Sequence, residues 1–283
     1  MKKVLCSKFT PLFIAFPPII IGVIAMFFNK VPMIIWGQNI ACLIILGLVS
    51  YFILSKETKS KKTEFNTITI IVAVLFILLT FVDSGFQGVN RWISMGPIKF
   101  YVASIVIPIL IIELCSLSQL QHLIISVIII IFVSILLALQ PDASQLTAFI
   151  IPMIILLWGK TNKITLRLGI IAILSIIMVN SWVHLDILPP VSYVEKILSL
   201  VGNMGILWLS LGVISLIILP LPFIFFAPKN LRLSSTCIGI YFIIILISTI
   251  FGNFPVPLMG YGISPIIGYF VSITWFVKAK IYS

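Results

Sequence analysis

The residues best suited to chemistry lie between positions 83 and 97, a polar, glycine-rich connection in a chain that is 61% hydrophobic. Arg91 can grip a phosphate or diphosphate through paired hydrogen bonds. Trp92 beside it carries an amphipathic ring that suits the headgroup layer of a membrane, and the glycines let backbone approach a ligand closely. Because the same residues are also typical of an ordinary interfacial anchor, ligand binding and anchoring both stay open at this point.

The composition excludes a soluble globule. Mean hydropathy is +1.29 and only 9% of residues are charged, whereas about 25% is usual in soluble domains. The net charge of +11 comes from short basic clusters between apolar runs, a pattern of membrane topology that does not favour a nucleic-acid partner. The sequence predicts an all-α polytopic integral membrane protein with one integral domain over residues 1–283, in contact with membrane lipids.

Short polar connections separate ten apolar runs, which predicts about ten transmembrane helices. Prolines at Pro108, Pro152, Pro220 and Pro222 fall inside runs and predict kinks or interruptions. The approximate limits of the runs are 11–28, 32–54, 67–82, 98–115, 119–138, 143–158, 168–183, 199–227, 234–251 and 263–277.

The basic residues predict the orientation. With both termini in the cytoplasm, all but four of the 18 lysines and arginines lie inside, as the positive-inside rule requires. The inner set comprises Lys2, Lys3, Lys8, Lys56, Lys59, Lys61, Lys62, Lys160, Lys163, Arg167, Lys229, Arg232, Lys278 and Lys280. The outer set is Lys30, Arg91, Lys99 and Lys196.

Four acids then lie on the outer side with Arg91 and Lys196: Asp83, Asp142, Asp186 and Glu195. Proline- and glycine-containing backbone at 187–191 and 252–262 lies on the same side. Since lipid cannot satisfy irregular backbone, these stretches must be buried in protein or line a cavity. We therefore expect an outward-facing cleft.

The cysteines and histidines predict no metal site. Cys6, Cys42, Cys115 and Cys237 lie far apart, in or beside apolar segments, without the paired spacing of metal or redox motifs. They are interpreted as buried small hydrophobes. His122 and His184 have no partner at a ligand spacing.

Three stretches in order carry a family resemblance. They are Gly88-Val-Asn-Arg-Trp-Ile93 followed by Gly96-Pro97, then Leu139-Gln-Pro-Asp142, then Pro255-Val-Pro-Leu-Met-Gly-Tyr-Gly-Ile-Ser264. They resemble motifs of the SEDS family of shape, elongation, division and sporulation proteins, which includes FtsW, RodA and SpoVE. In the last stretch Pro255, Pro257, Tyr261, Gly262 and Ser264 coincide with the family pattern.

The resemblance also points to an acid. The family carries a catalytic aspartate in a pattern like Pro-x-x-x-x-Asp with a glycine seven residues later. Here Glu195 follows Pro190 at that distance, and Gly202 stands seven residues beyond it. Glutamate thus takes the matching position with one more methylene, although a register shift of one residue would place Val194 there.

The chain also departs from the family pattern. The connection at 184–198 is short, and Ser104 stands where the family usually has an acid. Gly260, Ile263 and Pro265 replace the usual serine, glycine and serine. A shortened and diverged SEDS member is the interpretation that fits.

The resemblance implies a peptidoglycan glycosyltransferase that polymerises lipid II at the outer face of the bacterial cytoplasmic membrane, in cell-wall synthesis linked to shape, division or sporulation. Glu195 would be the catalytic base, and Arg91 and Trp92 would bind the substrate. A class B penicillin-binding protein is the implied partner. Alternatives are a non-catalytic scaffold or lipid-carrier-binding subunit and, less favoured because no internal repeat is clear, a transporter.

The other candidate binding residues could have a purely structural role instead of a role in binding. Asp142 would support the cleft through hydrogen bonds, help to bind a divalent cation, or cap the sixth helix. Tyr261, Gly262 and Ser264 would line the cleft or make a tight turn, and for the glycine the turn is favoured.

Overall fold

The computed structural model describes residues 7–56, 66–83, 85–96, 98–119, 122–161, 163–186 and 188–281. Some residues used in the sequence-based predictions lie outside these ranges. They are Lys2, Lys3, Cys6, Lys59, Lys61, Lys62, Pro97 and Ile187.

The described residues form twelve α-helices and one β-hairpin. The helices are α1 (Thr10–Phe28), α2 (Met33–Ser55), α3 (Thr67–Leu79), α4 (Val102–Gln119), α5 (Leu123–Leu139), α6 (Ala143–Lys160), α7 (Ile164–Val183), α8 (Ile197–Asn203), α9 (Ile206–Ile218), α10 (Leu221–Phe225), α11 (Arg232–Phe251) and α12 (Ile263–Ile281). The hairpin pairs β1 (Trp92–Met95) with β2 (Ile98–Tyr101) in antiparallel register.

The helices confirm a polytopic membrane protein. Among the described residues, six helical segments are long and apolar enough to cross a membrane: α1, α2, α6, α7, Ile206–Phe225 and Lys229–Phe251. Three shorter apolar helical segments accompany them, namely α3, Val102–Ser118 of α4, and α5. The count of ten spans and the cytoplasmic position of both termini stay predictions.

Contacts divide the chain into two compact units. Unit 1 contains α1, α2, α8, α9, α10 and α12, with Arg232 and residues 245–251 of α11. In it α1 packs against α2, α8, α9 and α12. Close packing is visible at Gly22 of α1, where an added Cβ would meet the backbone oxygen of Met259 at 2.0 Å. That the chain forms one integral domain stays a prediction.

Unit 2 contains α3–α7, the β-hairpin and residues 233–244 of α11. Here α6 has residues 143–150 buried without a break. It packs against α4, α5 and α7. Glu113 of α4 accepts a hydrogen bond from the backbone N–H of Asn66 at 3.1 Å, directly before α3.

The sequence prediction was wrong in two places about where helices begin and end. Residues 98–101 begin the fourth apolar run but form β2. The prediction was wrong there because hydrophobicity alone does not separate a short strand from a helix. The single run at 199–227 is three helices. It breaks at Gly205, whose φ is +116°, and again at the predicted prolines Pro220 and Pro222.

Candidate functional site

The β-hairpin positions the predicted Arg91–Trp92 pair. Trp92 begins β1 and pairs with Tyr101, the last residue of β2. The carbonyl of Arg91 accepts a hydrogen bond from the N–H of Val102 at 3.2 Å, so the hairpin leads directly into α4. Gly96 supports the turn with a φ of +62°, in the left-handed region that favours glycine.

The Arg91 guanidinium is buried, with the residue only 5% exposed. Its Nε donates to the backbone oxygen of Gln140 at 3.2 Å, and its Nη2 contacts the backbone oxygen of Pro141 and the carboxylate of Asp186. The Nε also lies 3.9 Å from Oδ2 of Asp142. An interfacial anchor keeps its charged end among headgroups, so the anchor interpretation of Arg91 does not fit this geometry.

Asp142 lies at the other end of this ion pair and is fully buried. Its side chain accepts from the backbone N–H of Gln145 at 3.3 Å and so caps the start of α6, as one of the predicted alternatives had it. It also accepts from the hydroxyl of Tyr101. Burial raises the pKa of Asp142 above its usual range, while Arg91 and the Tyr101 hydroxyl oppose that rise.

The surroundings of Arg91 raise its pKa overall. Burial lowers it, but the nearby Asp142, Tyr101 and Asp186 together outweigh that effect. The guanidinium therefore stays charged and fixes three pieces of chain: the hairpin, the 140–142 turn and the segment at Asp186. We name this network, formed by Arg91, Tyr101, Gln140, Asp142 and Asp186, the arginine cluster.

Further side chains extend the arginine cluster. The Gln140 amide donates to Oγ1 of Thr80 at 2.6 Å, and Tyr241 of α11 donates to Oε1 of Gln145 at 2.9 Å. These contacts tie α3, α6 and α11 to the residues around Asp142 in unit 2.

The suggestion of a divalent cation at Asp142 does not fit this network. The carboxylate already accepts hydrogen bonds from Tyr101 and Gln145 and faces the Arg91 guanidinium. Among the described residues, no group of three or more His, Cys, Asp or Glu is placed to hold a metal. A cation would have to displace the arginine, so we derive no step through one.

Glu195 lies in unit 1, in the turn that leads into α8. Its Oε2 accepts from the backbone N–H of Val191 at 2.7 Å, and its own N–H donates to the oxygen of Val191 at 3.1 Å. The side chain therefore folds back over its own turn. Glu195 is partly exposed and Lys196 beside it is exposed.

The turn with Glu195 lies against the 255–264 stretch. The backbone N–H of Tyr261 donates to the oxygen of Tyr193 at 2.8 Å, and that of Val256 donates to the oxygen of Val194 at 3.4 Å. The rings of Tyr193 and Tyr261 have centroids 6.1 Å apart. The two stretches that carry the family resemblance in this half of the chain thus form one local structure.

Gly260 explains one departure from the family pattern. A Cβ added there would lie 2.6 Å from the oxygen of Val194, closer than real Cβ atoms come to backbone. The usual serine would not fit while Val194 keeps this position. The close contact between the two stretches in this chain therefore depends on glycine.

Tyr261, Gly262 and Ser264 have distinct surroundings. The Tyr261 hydroxyl donates to Oε1 of Gln38 at 2.9 Å, and the Gly262 N–H donates to Oδ1 of Asn39 at 3.3 Å. Ser264 is buried in the first turn of α12. Burial, with a smaller effect of Tyr193, raises the pKa of Tyr261, so its phenol stays protonated.

An apolar groove of about 320 Å³ runs through unit 2 between α3, the hairpin and α4. Its lining includes Ala73 and Phe76 of α3, Ile93 and Phe100 of the hairpin, and Ile105 of α4. Lys99 is exposed next to Phe100 in β2, with its ammonium 5.5 Å from the ring centroid of Phe86. A groove of this kind suits one hydrocarbon chain.

Comparison with solved structures identifies the architecture. The crystal structure of the rod shape-determining protein RodA from Thermus thermophilus aligns at a TM-score of 0.63, with 16% identity over 96% of each chain. A point mutant of that protein aligns at 0.65, with 15% identity over 96% of each chain. The chain has a RodA-like fold. No protein-family profile matches the sequence, and a search of curated protein sequences found no match.

The RodA-like fold confirms the SEDS-like architecture predicted from the motifs. Within it, the predicted site residues fall into two groups. Arg91, Trp92 and Asp142 lie in unit 2, and Arg91 and Asp142 share the arginine cluster. Glu195, Tyr261, Gly262 and Ser264 lie in unit 1. Trp92 is partly buried, and its predicted contact with substrate stays a prediction.

The sequence analysis did not predict several residues that hold the two groups of candidate site residues in place. Gln38 and Asn39 are a polar pair inside an otherwise apolar membrane helix, and such residues usually have a specific partner. That signal was present in the sequence. Gln140 belongs to the Leu139–Asp142 motif, but its role and that of Tyr101 could not be predicted, because both depend on contacts between distant parts of the chain.

Proposed function

We propose that this protein is a peptidoglycan glycosyltransferase-like enzyme that acts on lipid II at the outer face of the bacterial cytoplasmic membrane. The observation that carries the proposal is the RodA-like fold over 96% of the chain, in which the Glu195 turn and the 255–264 stretch are hydrogen-bonded together. The proposed activity in cell-wall synthesis comes from the family resemblance, and the RodA-like fold supports it.

The proposed reaction joins two disaccharide units. The acceptor sugar hydroxyl attacks the anomeric carbon of the donor, the bond from that carbon to the diphosphate oxygen breaks, and undecaprenyl diphosphate leaves. Glu195 takes the hydroxyl proton as general base, a role that typically contributes 10²–10⁴-fold to rate. Its partly exposed carboxylate is positioned by the Val191 N–H.

Two alternative roles are proposed for Arg91: it fixes the hairpin, or it contacts the leaving diphosphate directly. In the described geometry its guanidinium is held by Asp186 and by backbone oxygens, so its role is to fix the hairpin. Direct contact with a diphosphate requires that the guanidinium exchange the Asp186 carboxylate, which it contacts through Nη2 alone, for phosphate oxygens, which can accept two hydrogen bonds from it. Trp92 and the apolar groove would hold the lipid part of the substrate.

A non-catalytic scaffold is the second candidate function. One observation favours it: Ser104, which stands where the family usually has an acid, is buried and donates its hydroxyl to the oxygen of Tyr101 at 2.8 Å. That contact is structural and supplies no acid. In this case the protein would bind a lipid carrier or a cell-wall synthase, with a class B penicillin-binding protein as the expected partner.

The test is glycan synthesis from purified lipid II by the purified chain, with and without a class B penicillin-binding protein whose transpeptidase site is blocked. Polymer formed by the wild-type chain supports the enzyme. If no polymer forms under either condition while the chain binds the partner, the scaffold is the correct function.

A further inference from the structure

Asn39, a buried residue of α2, makes two side-chain hydrogen bonds to the backbone of the 260–262 turn. Its Nδ2 donates to the oxygen of Gly260 at 3.0 Å, and its Oδ1 accepts from the N–H of Gly262 at 3.3 Å. The residue is fully buried. Since one partner is an acceptor and the other a donor, only a side chain with both functions at the same reach satisfies both.

These two bonds act on the segment that contacts Glu195. Gly260 lies against the oxygen of Val194, and Tyr261, between the two bonded glycines, donates its N–H to Tyr193. A path of direct contacts therefore runs from Asn39 through residues 260–262 to residues 193–194, next to Glu195. Gln38 strengthens it through the Tyr261 hydroxyl.

We propose that Asn39 is a positioning residue for the Glu195 carboxylate. Asn39 holds the 260–262 turn, the turn holds residues 193–194, and these fix the direction in which the Glu195 side chain leaves the backbone. The catalytic part of this proposal rests on the proposed glycosyltransferase function, whereas the mechanical part does not.

The Asn39→Asp substitution tests for hydrogen bonding, because it predicts a pH dependence that a residue with only a packing role would not show. Ionised Asp accepts from Gly262 but repels the Gly260 oxygen, while protonated Asp can accept from one and donate to the other. In Asn39→Asp the positioning should therefore return as pH falls. The titratable side chains on α2, on the 255–262 stretch and in the turn before α8 are Cys42, Tyr51, Tyr193, Glu195, Lys196 and Tyr261. The packed helix α12 adds Tyr269, Lys278 and Lys280. The wild-type profile controls for all of them.

Positioning is measured first without catalysis, by disulfide formation. Val194→Cys and Val256→Cys are introduced in a chain without its four native cysteines, because the backbone N of Val256 and O of Val194 lie 3.4 Å apart. Adding Asn39→Leu should slow cross-linking about tenfold, because the two segments that carry residues 194 and 256 would separate by about an ångström or more. Ser50→Ala is the matched control: it removes a buried hydrogen bond from α2 to Thr274 of α12 and should leave cross-linking unchanged.

Polymerisation of lipid II is measured next on the same position-39 variants in the native-cysteine chain. Asn39→Leu should lower kcat roughly 100-fold with KM nearly constant, the effect of a misplaced catalytic group. Asn39→Asp should recover both cross-linking and kcat toward acid pH, relative to wild type. Unchanged cross-linking in Asn39→Leu, or no pH-dependent recovery in Asn39→Asp, would overturn the proposal.

Failure of the proposed glycosyltransferase function can be distinguished from failure of the proposed role of Asn39. If wild type makes no polymer, the proposed function fails while the cross-linking result still decides whether Asn39 holds the turn. If wild type is active and Asn39→Leu keeps wild-type kcat despite slower cross-linking, Asn39 holds the turn without positioning Glu195, and the catalytic part of the inference is wrong.

Discussion

Tyr261 donates its backbone N–H to the carbonyl oxygen of Tyr193 at 2.8 Å, and so joins the turn before α8 to the turn before α12. Glu195 and the 255–264 stretch were predicted separately, each from its own motif. Their contact makes them one structure, and it explains why a change in either turn should affect the other.

The first prediction concerns Gly260. Gly260→Ala places a Cβ 2.6 Å from the oxygen of Val194, so the two turns must separate. We expect a destabilisation of about 1–3 kcal/mol, as for other overpacked sites, measured as a lower melting temperature in detergent. Gly37→Ala is the control, since nothing lies within 4 Å of its added Cβ and alanine suits a helix interior. Equal melting temperatures for the two variants would contradict the close contact.

The second prediction concerns Arg91. Arg91→Ala leaves the buried Asp142 without its cation, which typically costs about 3–5 kcal/mol. Arg91→Lys keeps the charge but cannot reproduce the planar set of contacts, so its melting temperature should lie between those of Arg91→Ala and wild type. Exposed Lys99→Ala serves as the control and should change stability by less than about 0.5 kcal/mol.

Arg91→Lys also separates the two roles proposed for this residue. Reduced binding of undecaprenyl diphosphate, in a variant still folded at the assay temperature, supports direct contact with the diphosphate. Binding equal to wild type with a lowered melting temperature would restrict Arg91 to fixing the hairpin.

The third prediction is a pH dependence set by Asp142. Because burial raises its folded-state pKa, the folded protein binds a proton more readily than the unfolded chain does. Its contribution to stability is therefore largest in acid and declines as pH rises from about 4, the usual carboxyl value, through the folded-state pKa. Asp142→Asn should lack this decline in a series of melting curves. A wild-type contribution that instead rises with pH over the same window would show that Arg91 dominates over burial.

The fourth prediction concerns orientation. Single cysteines at Gly88 and Pro190 should react with a membrane-impermeant thiol reagent applied from outside, and a cysteine at Lys163 should react only after permeabilisation, because the basic residues favour the inside. The native Cys42, Cys115 and Cys237 are buried and should contribute little background. Reversed labelling would place every proposed site on the wrong side of the membrane.

Sequence reasoning succeeded where the signal was local. Apolar runs predicted the helices, and Pro141-Asp142 predicted the cap of α6 that the Asp142–Gln145 contact forms. It failed where the signal was ambiguous, as at β2, whose residues Ile98 and Phe100 are as apolar as those of the helix that follows.

The contacts of the candidate residues could not be predicted from the sequence for a different reason. The sequence predicts that Arg91 lies near the membrane surface, but its burial depends on Gln140 and Asp186, which only the tertiary fold brings to it. Likewise, Asn39 reaches Gly260 across more than 200 intervening residues. Contacts of this range leave no periodic pattern in the chain.

Glu195 is proposed as the general base of a lipid II polymerase, and the most direct test is the rate of polymer formation by Glu195→Gln with lipid II as sole donor. We predict a loss of at least about 100-fold with an unchanged melting temperature, and retained activity in Glu195→Asp. Glu113→Gln is the matched control, because Glu113 accepts the Asn66 N–H in unit 2 and an amide oxygen can replace it there. Wild-type polymerisation by Glu195→Gln would contradict the claim.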